Sequence, residues 1–173
     1  MITTLLSDGF YENILEMEGV ACNLTFIPNK FGEEVPNFRH IDPSLEPVFR
    51  DILNNQNLNI VKSKSGIFRR PIIFIHYDDF YELDDWCFAV ALQPTTFNTF
   101  KHIPTGSTYS FQTEPLNTIN FIDWDITSSI YLKQNQCIFY RPWQYHSFLG
   151  GVVQHYHITN LSQEKINEME VST

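Results

Sequence analysis

The sequence predicts a mainly β (α+β) fold, in which a short N-terminal helical part leads into an antiparallel sandwich or jelly roll. From residue 58 onward, short runs rich in β-branched and aromatic residues follow one another, separated by Gly, Pro, Asn and Thr. Helical patterns do not alternate with these runs, which disfavours a parallel α/β sheet. The chain has 173 residues, of which 43% are hydrophobic and 15% aromatic. That is enough apolar material for one domain with a substantial core.

At least six of the predicted strands are expected to pair antiparallel in two facing sheets. Asn135 lies between two of the runs and fits a hairpin turn. The strands are expected at residues 59–62, 71–78, 86–93, 97–102, 126–132, 136–141 and 152–158.

The chain is expected to form a single domain with three parts. Residues 1–57 form an N-terminal α/β extension packed on the barrel, 58–160 the jelly-roll core and 161–173 a C-terminal tail. A helix is predicted at about 43–54, because apolar residues recur there at helical spacing after a capping sequence. Two further helices could form, one within 10–17 and one within 162–169.

The charge balance disfavours a nucleic-acid partner. The formal net charge is −9, and an acidic chain repels phosphate backbones. The nearest approach to a basic patch is formed by Lys62, Lys64, Arg69 and Arg70.

The remaining composition indicates a cytoplasmic protein without a membrane partner. No apolar run is long enough to span a bilayer, and the N-terminus lacks an export signal. The three cysteines are widely spaced and contain no CxxC pair, so neither a zinc ribbon nor a disulfide framework is indicated. They are expected to be buried, reduced thiols.

A candidate metal site begins in the predicted strand 71–78. Ile72, Phe74, His76 and Asp78 alternate along it, so in a strand their side chains share one face. An imidazole and a carboxylate on one face can bind one metal ion, and a second His from a distant strand would complete a facial triad. Such a triad leaves open positions and suits non-haem Fe(II). The same His and Asp could instead be a hydrogen-bonded pair at the end of a strand.

The order of the following segments carries a resemblance to a known family. After His76 and Asp78 come the hydrophobic strand 86–93 and, later, a strand–turn–strand over 130–148 that leads to His146. Over about 66–158 the chain resembles the 2-oxoglutarate/Fe(II) oxygenases. The block 86–106 is similar to a prolyl-hydroxylase-like family common in phages and marine bacteria.

The resemblance implies a double-stranded β-helix and an Fe(II)- and 2-oxoglutarate-dependent dioxygenase, a hydroxylase of unknown substrate. His76, Asp78 and His146 would hold the iron. The family usually places an Arg or Lys on the strand after the distal His to bind the far carboxylate of 2-oxoglutarate. Strand 151–158 has no such residue. The candidates for this anchor are Lys101, then Arg141 and His157, and the expected pocket walls are Trp143, Tyr145 and Tyr109.

Two alternatives remain open at this point. His155 and His157 share a strand face and, with His146 or His102, could form a cupin-like all-His site. The missing Arg would also fit a catalytically degenerate jelly roll, which serves as a phage structural or interaction module. Such a protein would have a virion or assembly partner and could be located in the virion.

Overall fold

The computed structural model describes residues 4–29, 32–35, 59–60, 66–78, 85–110 and 121–159. The helices predicted at 43–54 and 162–169, and the predicted tail 161–173, lie outside these residues. In the described part of the chain, no helix is long and apolar enough to cross a membrane.

Two antiparallel sheets form the body of the molecule, as predicted. The larger sheet has the order β1, β9, β6, β11, β5, β3, β2, with β4 paired to β11, and the smaller sheet has the order β10, β7, β8. The strands in chain order are β1 Thr4–Ser7, β2 Ile27–Asn29, β3 Gly32–Glu34, β4 Asn59–Ile60, β5 Gly66–Arg69, β6 Trp86–Ala91, β7 Thr95–His102, β8 Trp124–Leu132, β9 Cys137–Tyr140, β10 His146–Leu149 and β11 Val153–Thr159.

Strand β6 is buried along its whole length because it contributes to two separate cores. Its alternate residues Cys87, Ala89 and Ala91 pack between the sheets, against Phe97 of β7 and Phe148 of β10. Small residues on this face of β6 leave room for larger side chains from the facing sheet. This interior, which contains the candidate site, is called the barrel interior below.

The opposite face of the larger sheet is covered by the N-terminal segment. Helix α1, Ile14–Cys22, buries Ala21 in a cluster with Phe88 and Tyr156. The sequence placed the start of this helix within 10–17, and it begins at Ile14. The same segment also supplies β1, β2 and β3 to the larger sheet, so it contributes strands as well as a helix.

A turn is present at Asn135 between β8 and β9, but the predicted hairpin is wrong, because β8 pairs with β7 in the smaller sheet and β9 pairs with β1 and β6 in the larger one. Asn135 adopts a positive φ of 67°, a conformation that asparagine tolerates better than most residues. Its side chain accepts a hydrogen bond from the backbone N of Tyr11 and donates one to the backbone O of Tyr11, each at 2.7 Å. The turn therefore holds the N-terminal segment against the larger sheet.

The prediction of a strand over 71–78 is wrong. The segment contains isolated bridge residues at Ile75 and His76, of which His76 is bridged antiparallel to His146, and Ile72 is exposed. Pro71 cannot donate a backbone hydrogen bond, which limits regular pairing at the start of the segment. The bridge nevertheless sets the site, because His76 and His146 exchange backbone hydrogen bonds of 3.1 and 2.8 Å.

Candidate metal centre

The structure brings His76, Asp78 and His146 together, as the sequence predicted. Nε2 of His76 lies 3.6 Å from Oδ1 of Asp78, and Nε2 of His146 lies 3.4 Å from Oδ2. The three ligand atoms lie within 4.8 Å of one another. Ligands about 2.0–2.2 Å from a divalent metal would require only small shifts of these side chains.

Both imidazoles are oriented by hydrogen bonds from their far nitrogens. Nδ1 of His76 lies 2.8 Å from the carbonyl O of Phe74, and Nδ1 of His146 lies 2.7 Å from that of Gln144. A carbonyl oxygen only accepts, so each Nδ1 carries the proton and each Nε2 keeps its lone pair. Metal-binding histidines are commonly fixed in this way.

His146 gives the most direct indication that the residues fit a metal ion. Its side chain is fully buried, and within the described residues its Nε2 has no hydrogen-bond partner. Burying a nitrogen lone pair without a partner costs free energy. A metal ion bound between His76, Asp78 and His146 would accept this lone pair and remove that cost.

The carboxylate of Asp78 is held from several sides. Its backbone N donates to the carbonyl O of Pro142 at 2.8 Å. The hydroxyl of Tyr140 donates to Oδ2 at 3.1 Å, and the thiol of Cys87 donates to the same oxygen at 3.4 Å. These contacts fix the direction of the carboxylate before any ligand binds.

The protonation states at the site favour metal binding. Burial, together with the neighbouring His146, lowers the pKa of His76 to about 3. Burial alone would raise the pKa of Asp78, but the surrounding imidazoles of His146, His155 and His76 lower it well below its usual range. His76 is therefore neutral and Asp78 ionised near neutral pH, which are the forms that bind a divalent cation.

Arg70, a half-buried arginine that was not among the predicted site residues, lies near this centre. Arg70 follows β5, and its guanidinium stacks on the ring of Phe68, 4.4 Å from the centroid. Phe68 in turn packs into the barrel interior. Burial lowers the pKa of Arg70, while the charges of Glu34 and, to a smaller extent, Asp78 act to raise it. Nη1 of Arg70 donates to the carbonyl O of Glu33 at 3.4 Å. Among the described residues, the buried Nε of Arg70 has no hydrogen-bond partner.

The signal that could have found Arg70 is its spacing from Phe68. Two residues apart in an extended chain share one face, so an inward Phe68 predicts an inward Arg70. From the sequence, Arg70 was identified only as one of the four residues nearest to a basic patch.

The three anchors selected from the sequence occupy other places. Lys101 is exposed at the end of β7, which does not fit a buried cation. Arg141 is buried, but its Nη1 donates to the carbonyl O of Asp85 at 3.1 Å and its guanidinium stacks on Trp86. His157 lies with Nε2 2.8 Å from Oδ2 of Asp85. Arg141 and His157 are thus both engaged with Asp85.

The aromatic residues expected to line a pocket do not form one group. Tyr145 packs in an apolar cluster with Tyr77, Phe100 and Trp124, which is distinct from the cluster of the barrel interior. Trp143 is buried and meets the half-exposed Tyr109 edge to face, with 5.6 Å between the centroids. The structure therefore places Tyr145 in a neighbouring core, and Trp143 against Tyr109.

The all-His alternative is realised only in part. Nε2 of His155 lies 3.7 Å from Oδ2 of Asp78, so this histidine joins the group around the carboxylate. His157 pairs with Asp85, and His102 lies against Thr105, 2.9 Å away. The donors that converge on one point thus include a carboxylate.

Comparisons with known proteins identify the fold. No family model and no curated protein matches the chain. Among solved structures, HygX from Streptomyces hygroscopicus, with nickel, 2-oxoglutarate and hygromycin B bound, aligns with a TM-score of 0.57 and 10% identity. That alignment covers 90% of this chain and 82% of HygX.

A second similar structure is SnoN, described as a non-haem alpha-ketoglutarate-dependent epimerase from nogalamycin biosynthesis. It aligns with a TM-score of 0.55 and 11% identity, over 91% of this chain and 78% of SnoN. At such identities the likeness establishes the jelly-roll fold alone. The narrower resemblance to the prolyl-hydroxylase-like family stays a prediction.

Proposed function

We propose that this protein is an Fe(II)- and 2-oxoglutarate-dependent dioxygenase that hydroxylates its substrate. The observation that carries the proposal is the combination of a two-histidine, one-carboxylate centre with a half-buried arginine stacked on Phe68, a ring that packs against the barrel interior. That donor set is typical of non-haem Fe(II) oxygenases. HygX and SnoN, which share the fold, have both been solved with 2-oxoglutarate and a metal ion, which supports the choice of cosubstrate.

His76, Asp78 and His146 would hold the iron, and the bound iron would supply the activation of dioxygen. Arg70 would bind the far carboxylate of 2-oxoglutarate, because a buried carboxylate needs a paired cation. Stacking on Phe68 holds the guanidinium plane in place, which suits two parallel hydrogen bonds to a carboxylate. The apolar residues of the barrel interior would keep water away from the reacting groups.

The test is the binding of 2-oxoglutarate to the Mn(II)-loaded protein, measured by titration calorimetry. Arg70→Ala should weaken binding by about 2–4 kcal/mol, the usual cost of removing one partner from a buried charge pair. Arg69→Ala is the matched control, because the neighbouring Arg69 is exposed and paired with Glu33. It should leave the affinity unchanged, and so should Lys101→Ala.

The same titration separates the proposal from its alternative. If the unmodified, metal-loaded protein shows no binding of 2-oxoglutarate, the proposal fails, and a catalytically degenerate jelly-roll module is favoured. If Arg70→Ala binds as tightly as the unmodified protein, Arg70 is not the anchor.

A further inference from the structure

A second set of potential metal ligands lies beside the triad and shares Asp78 with it. Sγ of Cys87 lies 3.4 Å from Oδ2 of Asp78, and Nε2 of His155 lies 3.7 Å from the same oxygen. The three ligand atoms are within 4.8 Å of one another. Cys87 is fully buried, and the His155 side chain is 13% exposed.

The distances from Sγ of Cys87 and Nε2 of His155 to Oδ2 of Asp78 match the spacing of ligands around a tetrahedral ion. Ligand atoms about 2.0–2.3 Å from a tetrahedral zinc ion lie about 3.3–3.8 Å from one another. The three donors also come from different parts of the fold, since Cys87 is on β6, His155 on β11 and Asp78 on the segment after β5. His155 and Ala89 are direct partners across β11 and β6, which fixes His155 next to Cys87 on the inner face.

From this arrangement we infer that Asp78, Cys87 and His155 form a second, overlapping site that binds a thiophilic divalent cation such as Zn²⁺. A thiolate is a soft ligand and favours zinc over iron or manganese, whereas the triad offers only nitrogen and oxygen. An ion in the second site is ligated by Asp78, so this carboxylate is then not available to a metal ion in the triad. The inference concerns metal binding alone and does not depend on 2-oxoglutarate.

The surroundings of Cys87 supply an acceptor for the thiol proton, which must leave when the metal binds. Nδ1 of His157 lies 3.7 Å from Sγ, and Nε2 of the same ring lies 2.8 Å from Oδ2 of the buried Asp85. A carboxylate accepts only, so Nε2 carries a proton and Nδ1 presents a lone pair to the thiol. Burial and the neighbouring Asp78 raise the pKa of the Cys87 thiol, so it keeps its proton until a metal ion displaces it.

Cobalt substitution tests the inference, because a thiolate bound to Co²⁺ gives a near-ultraviolet charge-transfer band that nitrogen and oxygen ligands do not. Co²⁺ is titrated into the reduced, metal-free protein without oxygen. The band is expected for the unmodified protein and is lost in Cys87→Ser. Cys137→Ser and Cys22→Ser are the matched controls and keep it, because Cys137 is buried in the other core and Cys22 is exposed.

Two further variants separate the second site from the triad. His76→Ala removes a ligand of the triad only, so the charge-transfer band should persist. His155→Gln keeps the thiol, yet it should weaken Co²⁺ binding at this site by about tenfold or more. Absence of the band in the unmodified protein, or its survival in Cys87→Ser, would overturn the inference. Neither result would bear on whether 2-oxoglutarate binds.

Discussion

At the scale of single residues, the triad was predictable and its surroundings were not. His76 and Asp78 are two apart, so any extended backbone directs them to the same side, whether or not a full strand forms. His155 and Cys87 are adjacent to Asp78 only because the larger sheet pairs β6 with β11. Such a contact depends on strand order, which residue spacing alone does not give.

Tyr140 illustrates how a residue behind the ligands should influence the metal. Its hydroxyl donates to Oδ2 of Asp78 at 3.1 Å, and its ring is buried. Tyr140→Phe keeps the ring and removes only this hydrogen bond. Because partners of this kind orient a ligating carboxylate, we expect the affinity for Mn²⁺ to fall about 10–100-fold.

Electron paramagnetic resonance of free Mn²⁺ during a titration measures this change. Tyr131→Phe on β8 is the control, because Tyr131 is 61% exposed, and it should bind Mn²⁺ like the unmodified protein. Equal affinities for Tyr140→Phe and Tyr131→Phe would show that the hydroxyl does not orient the carboxylate.

At the scale of elements, the periodic strands were predicted well and the segment that carries the site was not. β6 and β9 have continuous apolar runs, which a strand buried on both faces requires. Residues 71–78 have the alternation of a strand, but the segment forms isolated bridges at Ile75 and His76 and no regular ladder of hydrogen bonds. The alternation alone therefore did not distinguish a strand from an extended segment with isolated bridges.

The turn at Asn135 should be important for stability, since it connects the two sheets and is hydrogen-bonded to the N-terminal segment. Asn135→Ala loses two hydrogen bonds to Tyr11 and places alanine at a positive φ. We expect the free energy of unfolding to fall by about 2–4 kcal/mol. Denaturant unfolding measures this free energy. An unchanged dependence of the free energy on denaturant concentration would show that the variant and the unmodified protein unfold in a comparable transition.

Asn135→Gly separates the two contributions. Glycine accepts the positive φ but makes no side-chain hydrogen bond, so its loss should be smaller than that of alanine. If both variants unfold at the same denaturant concentration as the unmodified protein, the turn does not hold the N-terminal segment.

At the scale of the whole molecule, the fold class was predictable from the sequence. The position of the arginine that we propose as the anchor for 2-oxoglutarate was not. Period-two patterns without intervening helices indicate an antiparallel two-sheet protein, which the structure and its likeness to HygX and SnoN confirm. The cation that we propose as the anchor, Arg70, directly follows β5 rather than lying on the strand after His146. In a jelly roll the ends of several strands lie around one interior. A positive charge that binds the same ligand can therefore come from different strands.

The central claim is that one centre binds both a divalent iron and a 2-oxo acid. An anaerobic absorption spectrum of the protein with Fe(II), recorded before and after addition of 2-oxoglutarate, tests it most directly. We predict a visible charge-transfer band that requires both components, saturates at one iron per chain, and is lost in Asp78→Ala but not in the exposed control Asp125→Ala. A folded protein that binds Fe(II) but gives no such band, or a band of equal strength in Asp78→Ala, would contradict the claim.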